Sequence, residues 1–372
     1  MMRRTIEVLT LLLLMLLLSN CNGKENKTND GTLIPFKYAQ LIKLWDCGEY
    51  KKLEIKNPWD TASLLQTYLL VDKSQPTPKN LPKGVILRTP LEKSVVYTTV
   101  HCTLLQELDA VQSIAGICDF EFMQQKAIIE GCKNGTIVDL GNSMGPNKEK
   151  IIDLNPDGIF LSPFENSGGH GDLDKFGLPV FECADYMETE ALGRSEWIRI
   201  YGLLFGKKEK ADSIFNEVEK AFEQIQAQVQ ADSTSHHPTL LYGLRYGDTW
   251  YVPGGNSYMA KLFKTAGAQY LFADTPNSGA IPYSFETVYE KGYNADLWLF
   301  LYNGKEEMTY KEMDFYYQFK SFQEKEIYAC NTSKTPYFDE IPFHPERLLI
   351  DLYQIIHQKN EDSLHYYKRL VE

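Results

Sequence analysis

The sequence predicts an α/β protein made of two Rossmann-like lobes that are joined by one long α-helix and preceded by a β-rich extension. Apolar strands alternate with amphipathic helices in two separate stretches, which is typical of parallel α/β layers. Between them, residues 207–230 contain no Pro or Gly and repeat apolar side chains every three or four positions, as one face of a helix requires. Such a helix spans roughly 36 Å, enough to connect two lobes.

Length, composition and charge narrow the possible classes of function. A chain of 372 residues exceeds one average domain, and its 43% of hydrophobic residues can fill sizeable cores. The formal net charge is −12. Proteins that bind nucleic acids usually show a basic surface, so we expect no nucleic-acid partner.

The N-terminal segment predicts an exported protein held by a lipid. Met1–Arg4 is positively charged, and the leucine-rich run 9–18 is too short to span a bilayer. The run ends in "LSNC", which resembles the lipobox of bacterial lipoproteins, although asparagine is unusual before the cysteine. The resemblance implies a signal peptide over 1–20, lipidation of Cys21 and a polar tether over 21–35, on the periplasmic side of a membrane that the sequence does not identify. A plain secretory signal is the alternative.

The first half of the chain predicts the extension and the first lobe. Residues 36–89 are β-rich, and the turn cluster 57–60 predicts a hairpin. The first lobe is predicted over 90–196. Its segments are the strand "VVYTTV", the helix "LLQELDAVQSIAGICD" ending near Gly116, the strand "GTIVDLG", the helix "NKEKIIDLNP" capped by Asn147, and the strands "DGIFLSP" and "LPVFEC".

A helical linker is predicted over 197–232 and the second lobe over 233–372. In the second lobe, helical and strand patterns alternate again. Its segments are the strands "TLLYGL" and "TWYVP", the helices "YMAKLFKTAG" and "SFETVYEKGYNA", the strands "DLWLFLY" and "EIYAC", and the helix "HPERLLIDLYQII".

In order and spacing, these segments resemble the helical-backbone (class III) family of ABC-transporter substrate-binding proteins over roughly residues 90–356. The segments that carry the resemblance include "GNSMGPNKEKIIDLNPDGIFLS", "LPVFECADYMETEAL", "EWIRIYGLLFGKKEKAD", "TWYVPGGNSYMAKLFKTAGAQ" and "FHPERLLIDL". The resemblance implies a non-enzymatic protein without a cofactor. It would capture a metal chelate (ferric siderophore, haem or cobalamin) between its lobes and deliver it to an ABC permease.

The glycine-rich segment "GNSMGPNK" raises the question of a nucleotide site. A phosphate-binding P-loop needs Lys-Ser or Lys-Thr after its second glycine, and this segment lacks that pair. The resemblance implies instead that the loop lines the ligand cleft. It also implies that Glu149 and Glu286, each in the first turn of a helix, dock the protein onto arginine pockets of the permease.

Ligands of open α/β sheets bind beyond the carboxyl ends of the strands, and reading off those ends gives the candidate ligand contacts. Aromatic rings there suit a porphyrin, corrin or catecholate, Arg245 suits an anionic group, and His101 suits an axial metal position. A purely structural role is the alternative for each residue. The candidates are Thr99, His101, Ser143, Met144, Phe164, Tyr186, Arg245, Trp250, Tyr251 and Tyr302.

Two other functions remain as alternatives. A binder of bare Zn²⁺ or Mn²⁺ would need several converging His and carboxylate ligands, and only His101 and His170 fall at plausible positions. A lipid-anchored hydrolase is less favoured, since the chain has no G-x-S-x-G or HExxH motif. The six cysteines after Cys21 show no CxxC pair. Disulfides are permitted outside the cytosol and their connectivity does not follow from the sequence, but burial as a free thiol is the favoured interpretation for the several cysteines in apolar runs.

Overall fold

The structure is a computed structural model that describes residues 31–60, 62–165, 172–231 and 237–370. The predicted signal peptide, Cys21, most of the predicted tether, and His170 lie outside these residues. No helix within the described ranges has both the length and the apolar character that a membrane crossing requires.

The N-terminal extension is a five-stranded sheet in which the strands follow chain order. These strands are Thr32–Ile34, Ile42–Asp46, Lys51–Lys56, Leu64–Asp72 and Val85–Thr89. The first four are antiparallel, and the fifth runs parallel to the fourth. The hairpin predicted around 57–60 is confirmed, since it joins the third strand to the fourth. The first strand begins inside the segment predicted to be a tether.

Two buried glutamates attach the extension to the rest of the protein. The Glu196 carboxylate accepts hydrogen bonds of 2.8 to 2.9 Å from the backbone amides of residues 37–39. The Glu188 carboxylate accepts hydrogen bonds from the amides of residues 40–41 and from the indole N–H of Trp197. Because a buried carboxylate needs such donors, each glutamate and its segment of the extension stabilise one another.

The first lobe contains a five-stranded parallel sheet. Val95 and Val96 in its central strand are fully buried in different cores, one on each face of the sheet, as expected for a parallel sheet covered on both sides. The strands, in spatial order, are Val180–Glu182, Gly158–Leu161, Ser94–Val96, Ile114–Ile117 and Val138–Asp139. The helices are Thr99–Glu107, Lys126–Asn134, Lys148–Leu154 and Asp172–Lys175.

The first helix of this lobe is shorter than predicted. It ends at Glu107, and residues 114–117 form a strand rather than the end of the helix. Asp109 adopts a left-handed conformation with φ 52°, which a continuing helix does not allow. Gly116 lies within the strand, where a Cβ atom would come 3.0 Å from two leucine methyl groups. The glycine therefore serves close packing and does not end the helix.

The predicted long helix is confirmed as Lys208–Ala231, which has 24 residues. Its first half packs Ala211 and Phe215 into the core of the first lobe. Its second half packs Val218 and Phe222 into the core of the second lobe. The helix thus shares its apolar face between both lobes. Two shorter helices precede it, Ala191–Glu196 and Ile198–Leu204.

The second lobe has a five-stranded sheet in which the last strand is antiparallel to its neighbour and the others are parallel. In spatial order the strands are Gln269–Tyr270, Thr239–Tyr242, Leu297–Tyr302, Ile327–Asn331 and Lys368–Arg369. A separate antiparallel sheet contains Arg245–Tyr246, Thr249–Pro253 and Ala280–Tyr283. The helices are Tyr258–Thr265, Phe285–Gly292, Lys320–Gln323, Tyr337–Glu340 and Pro345–Ile356.

The six cysteines of the described residues are free thiols. Four of them are buried: Cys102, Cys118, Cys183 and Cys330. Burial raises the pKa of each of these thiols. They therefore pack as small neutral side chains.

Candidate functional site

A cavity of about 560 Å³ opens between the two lobes. Its walls come from the segments that follow the parallel strands of both sheets, which is where open α/β sheets bind ligands. The first lobe contributes Tyr97, Thr98, Thr99, Asp119, Glu121, Phe122, Met123, Gln124 and Ser143. The second lobe contributes Asn303, Thr332, Ser333, Thr335, Pro336, Phe338 and Asp339.

Two phenylalanine rings line this cavity from opposite lobes. Phe122 follows the strand Ile114–Ile117 and is 63% exposed. Phe338 lies in the short helix Tyr337–Glu340 and is 58% exposed. Rings left open to solvent in a concave site provide apolar surface for a ligand to cover.

The two lobes also contact each other at the cavity, through Thr99 and Asp339 of its lining and the neighbouring Gln125. Thr99 Oγ1 donates a hydrogen bond of 2.5 Å to Asp339 Oδ1, and Gln125 Nε2 lies 3.4 Å from the other oxygen of this carboxylate. Burial raises the pKa of the Asp339 carboxyl, although the hydrogen bonds from Thr99 and Gln125 oppose this increase. Thr99 therefore lines the cavity, as predicted, and also joins the lobes.

Several backbone amides of the glycine-rich loop donate to acceptors within the first lobe. The Ser143 amide donates to the Asp119 carboxylate at 2.8 Å, and the Gly145 amide donates to the Asn142 carbonyl at 3.0 Å. Gly141 has φ 84°, a left-handed conformation that suits glycine. A phosphate site would need such amides to be free. The loop is instead arranged to bring Ser143 to the cavity, where the sequence predicted it.

His101 does not reach the cavity, and the prediction that it contacts ligand or metal is wrong. It is 3% exposed. Its Nε2 lies 3.0 Å from Asp185 Oδ1 and 2.8 Å from the Tyr201 hydroxyl, and its Nδ1 lies 2.5 Å from the Thr98 hydroxyl. Burial lowers the pKa of His101, but Cys183 and Asp185 outweigh this effect and raise it. Both ring nitrogens are therefore engaged inside the first lobe.

Trp250 also lies in a core, so the prediction that it faces the ligand is wrong. The side chain is fully buried and stacks on Trp298 with ring centroids 5.5 Å apart. Its indole N–H donates to the Tyr242 carbonyl at 3.2 Å. The physical reason is strand alternation: Trp250 points inward from the small antiparallel sheet, whereas Tyr251 points outward and is 51% exposed.

Arg245 and Tyr302 are engaged with neighbours in the second lobe and do not line the cavity. The Arg245 guanidinium lies 4.7 Å from the centroid of the Phe315 ring and 5.8 Å from that of Phe285. The Tyr302 hydroxyl donates to Glu307 Oε2 at 2.7 Å. The expected pairing of Arg245 with an anionic ligand is therefore not supported in this arrangement.

The other predicted ligand contacts are exposed but do not line the cavity. These residues are Met144, Phe164, Tyr186 and Tyr251. The first three lie in segments that follow strands of the first lobe. Contact between these three residues and a ligand that extends beyond the cavity stays a prediction.

The two candidate docking glutamates occupy matching positions in the two lobes. Glu149 and Glu286 are exposed and lie in the first turns of the helices Lys148–Leu154 and Phe285–Gly292. Each helix is capped by the side chain of the preceding residue, which accepts a backbone N–H bond. Both carboxylates lie near a helix N-terminus, where negative charge is favoured. Hydrogen bonds from its own backbone amide and from the Ser284 side chain lower the pKa of Glu286.

Sequence reasoning missed several cavity residues that lie at strand ends. Asp119, Glu121 and Phe122 were overlooked because the strand before them was assigned to a helix. If that strand had been recognised, the search for ligand contacts beyond the carboxyl ends of strands would have found these residues. Phe338 and Asp339 follow the strand Ile327–Asn331 after a loop, so the pattern "TPYFDE" gave no periodic signal.

No group of three or more His, Cys, Asp or Glu side chains that could hold a metal ion occurs in the described part of the chain. A site for bare Zn²⁺ or Mn²⁺ would need such a group. The alternative function as a free-ion binder therefore gains no support from these residues.

Comparison with known sequences gives one family and several relatives. A family model described as a periplasmic binding protein matches residues 95–318, more than half of the chain. Two uncharacterised lipoproteins of Methanocaldococcus jannaschii are similar to the chain. One is 26% identical over 312 residues, covering 78% of this chain and 72% of the relative. The other is 27% identical over 356 residues, covering 90% of this chain and 86% of the relative.

Comparison with solved structures confirms the predicted fold. A possible iron-binding periplasmic solute-binding protein of Staphylococcus epidermidis aligns with a TM-score of 0.57 at 17% identity, covering 72% of this chain and all of that one. The periplasmic vitamin B12-binding protein of Vibrio cholerae aligns with a TM-score of 0.55 at 12% identity. The alignment covers 73% of this chain and 99% of that one. At such identities the likeness shows the architecture alone.

Proposed function

We propose that this chain, which belongs to the periplasmic binding protein family, captures a metal chelate between its lobes and delivers it to the permease of an ABC importer. Ferric siderophores, haem and cobalamin are the candidate ligands. A lipid on Cys21 would hold the protein to the membrane, and the lipoprotein names of two relatives support this anchor. The protein would act by binding and release, without catalysis.

The cavity between the lobes is the observation that carries this proposal. Its volume of about 560 Å³ lies within the roughly 300–1,000 Å³ of small-molecule sites. Walls from both lobes would let a ligand contact each of them. Exposed rings on both sides, Phe122 and Phe338, would grip the apolar part of a large chelate.

The contacts between the lobes support a mechanism with little closure. The helix Lys208–Ala231 is embedded in both cores, and the hydrogen bond from Thr99 to Asp339 already joins the lobes at the cavity. A large rotation would break these contacts. A preformed cleft also reduces the entropy that ordering would cost on binding. We therefore expect free and bound forms to differ by a small hinge motion.

Delivery would depend on Glu149 and Glu286, one on each lobe. A carboxylate and a guanidinium form directional, charge-assisted hydrogen bonds, so two such pairs would orient the protein on its permease. The matched control residues are Glu130 and Glu290, which are also exposed on helices of the first and second lobes.

The test combines binding and uptake. Purified wild-type protein is titrated with cyanocobalamin, ferric desferrioxamine B and haemin, and cells that depend on the importer are assayed for uptake of whichever chelate binds. We expect the double variant Glu149→Arg/Glu286→Arg to bind normally and to lose uptake, while Glu130→Arg/Glu290→Arg retains both. Normal uptake by the first variant would refute the docking role, and no binding of any chelate by the wild type would refute the proposed function.

A further inference from the structure

We infer that the cavity selects neutral or positively charged chelates, rich in amide and hydroxyl groups, over anionic ones such as haem or a ferric tris-catecholate. This inference rests on the proposed function and narrows its substrate class. It comes from the charge of the cavity walls, which neither the family nor the structural neighbours specify.

All charged side chains that line the cavity in the described part of the chain are acidic. They are Asp119, Glu121 and Asp339, with the first two from one lobe and the third from the other. No Lys, Arg or His belongs to the described lining. Recognition of a carboxylate or a catecholate usually relies on guanidinium or ammonium groups, and the described walls offer none.

Basic side chains near the lining residues in the sequence do not belong to the lining. Lys126 and Lys305 are exposed two positions from Gln124 and Asn303 but lie outside it. Lys334 lies between lining residues in the chain but pairs with Glu307 at 3.4 Å. Lys150, beyond the glycine-rich loop, donates to the Asp139 carbonyl at 3.0 Å. Arg245 stacks on aromatic rings outside the cavity. An anionic ligand would therefore find no cation in the described lining and would have to attract one from outside it.

The negative charge of the acidic lining residues is not compensated by a cation among the described residues. Asp119 accepts the Ser143 amide, and Asp339 accepts bonds from the Thr99 hydroxyl and the Gln125 amide. These donors are neutral, so they stabilise the carboxylates without cancelling their charge. Burial raises the pKa of Asp339. A positively charged ligand nearby would lower this pKa again and favour the charged carboxylate. An anionic ligand in the cavity would lose its hydration and would also be repelled by the acidic side chains.

The uncharged lining residues indicate which chemical groups lie at the periphery of the ligand. Amide and hydroxyl side chains provide both donors and acceptors, and they suit peripheral amides or hydroxyls of a chelate. These residues are Gln124, Asn303, Thr332, Ser333 and Thr335. The rings of Phe122 and Phe338 provide apolar contact. Corrinoids and ferric trihydroxamates combine these features without a net negative charge.

Calorimetric titration with probes of graded charge tests the inference. The probes are ferric desferrioxamine B (positive), cyanocobalamin (neutral), and haemin and ferric enterobactin (negative). We expect one of the first two to bind at least about 100-fold more tightly than either anion, equivalent to about 2.7 kcal/mol. Tightest binding of an anionic probe would overturn the inference and leave the proposed function standing. Failure of all four to bind would remove the proposed function and the inference with it.

A charge reversal on the cavity wall provides an independent check. Glu121 is exposed in the lining, and Glu130 is exposed on a helix of the same lobe outside it. Replacing a carboxylate by an ammonium changes the wall by two charges, so Glu121→Lys should improve affinity for haemin roughly tenfold. Glu130→Lys should leave that affinity unchanged. Unchanged or weaker haemin binding by Glu121→Lys, with a normally folded protein, would contradict the assigned charge selection.

Discussion

Truncation of Phe122 to alanine should weaken chelate binding about tenfold without unfolding the protein. The ring is 63% exposed in the free protein, so its removal leaves little cavity in a core. A ligand seated between the lobes would cover part of this ring. The loss of that contact would appear in the dissociation constant and not in the free energy of unfolding.

The magnitude follows from the exposed area. A phenylalanine has roughly 200 Å² of accessible surface, so 63% exposure corresponds to about 125 Å² available to a ligand. If half of that area is covered, about 60 Å² at about 25 cal/mol per Å² contributes about 1.5 kcal/mol, or roughly tenfold in affinity. Phe338, which is 58% exposed, should give a loss of similar size.

Isothermal titration calorimetry with cyanocobalamin or ferric desferrioxamine B, whichever binds the wild type, measures this effect. Phe176→Ala is the matched control, because Phe176 is 60% exposed but does not line the cavity. If Phe122→Ala and Phe338→Ala both bind like the wild type, the ligand does not sit between these rings. Equal losses in all three variants would point to a general change in the protein.

Two further outcomes concern stability. Glu196→Ala should lower the free energy of unfolding in urea by about 3 kcal/mol, because three backbone amides lose a buried acceptor. Glu190→Ala, which removes an exposed ion pair, should cost under about 1 kcal/mol, and equal losses would contradict the proposed anchoring. Burial lowers the pKa of His344, but the Glu107 and Glu346 carboxylates outweigh it and raise the pKa to about 9. The resulting stability is complete below about pH 6.5 and is lost as the pH rises through about 9. Thermal melts should show this decline in the wild type and a smaller one in His344→Gln, and identical pH profiles would refute it.

The sequence was sufficient to predict the two lobes and their connection. The helix Lys208–Ala231 has an uninterrupted apolar face, and strands such as Leu297–Tyr302 are buried apolar runs between turns. Ile114–Ile117 was missed because its glycine resembled a helix end. In the structure this glycine allows close packing against leucine methyl groups, and such a contact depends on residues that are distant in sequence.

The candidate site was only partly predictable. Thr99 and Ser143 line the cavity because they follow strands, and strand ends are visible in the sequence. Whether a residue beyond a strand faces the cavity or a core depends on the direction of its side chain. His101 and Trp250 both point inward, where His101 has hydrogen-bond partners and Trp250 has ring partners. Such orientation is set by tertiary packing, which periodicity alone does not describe.

A crystal structure of the protein with a bound chelate would test the central claim most directly. With ferric desferrioxamine B or cyanocobalamin, we expect the chelate to lie between Phe122 and Phe338, with the Thr99–Asp339 contact retained and the lobes nearly unmoved. A chelate bound outside this cavity, or a large rotation that separates Thr99 from Asp339, would contradict the claim.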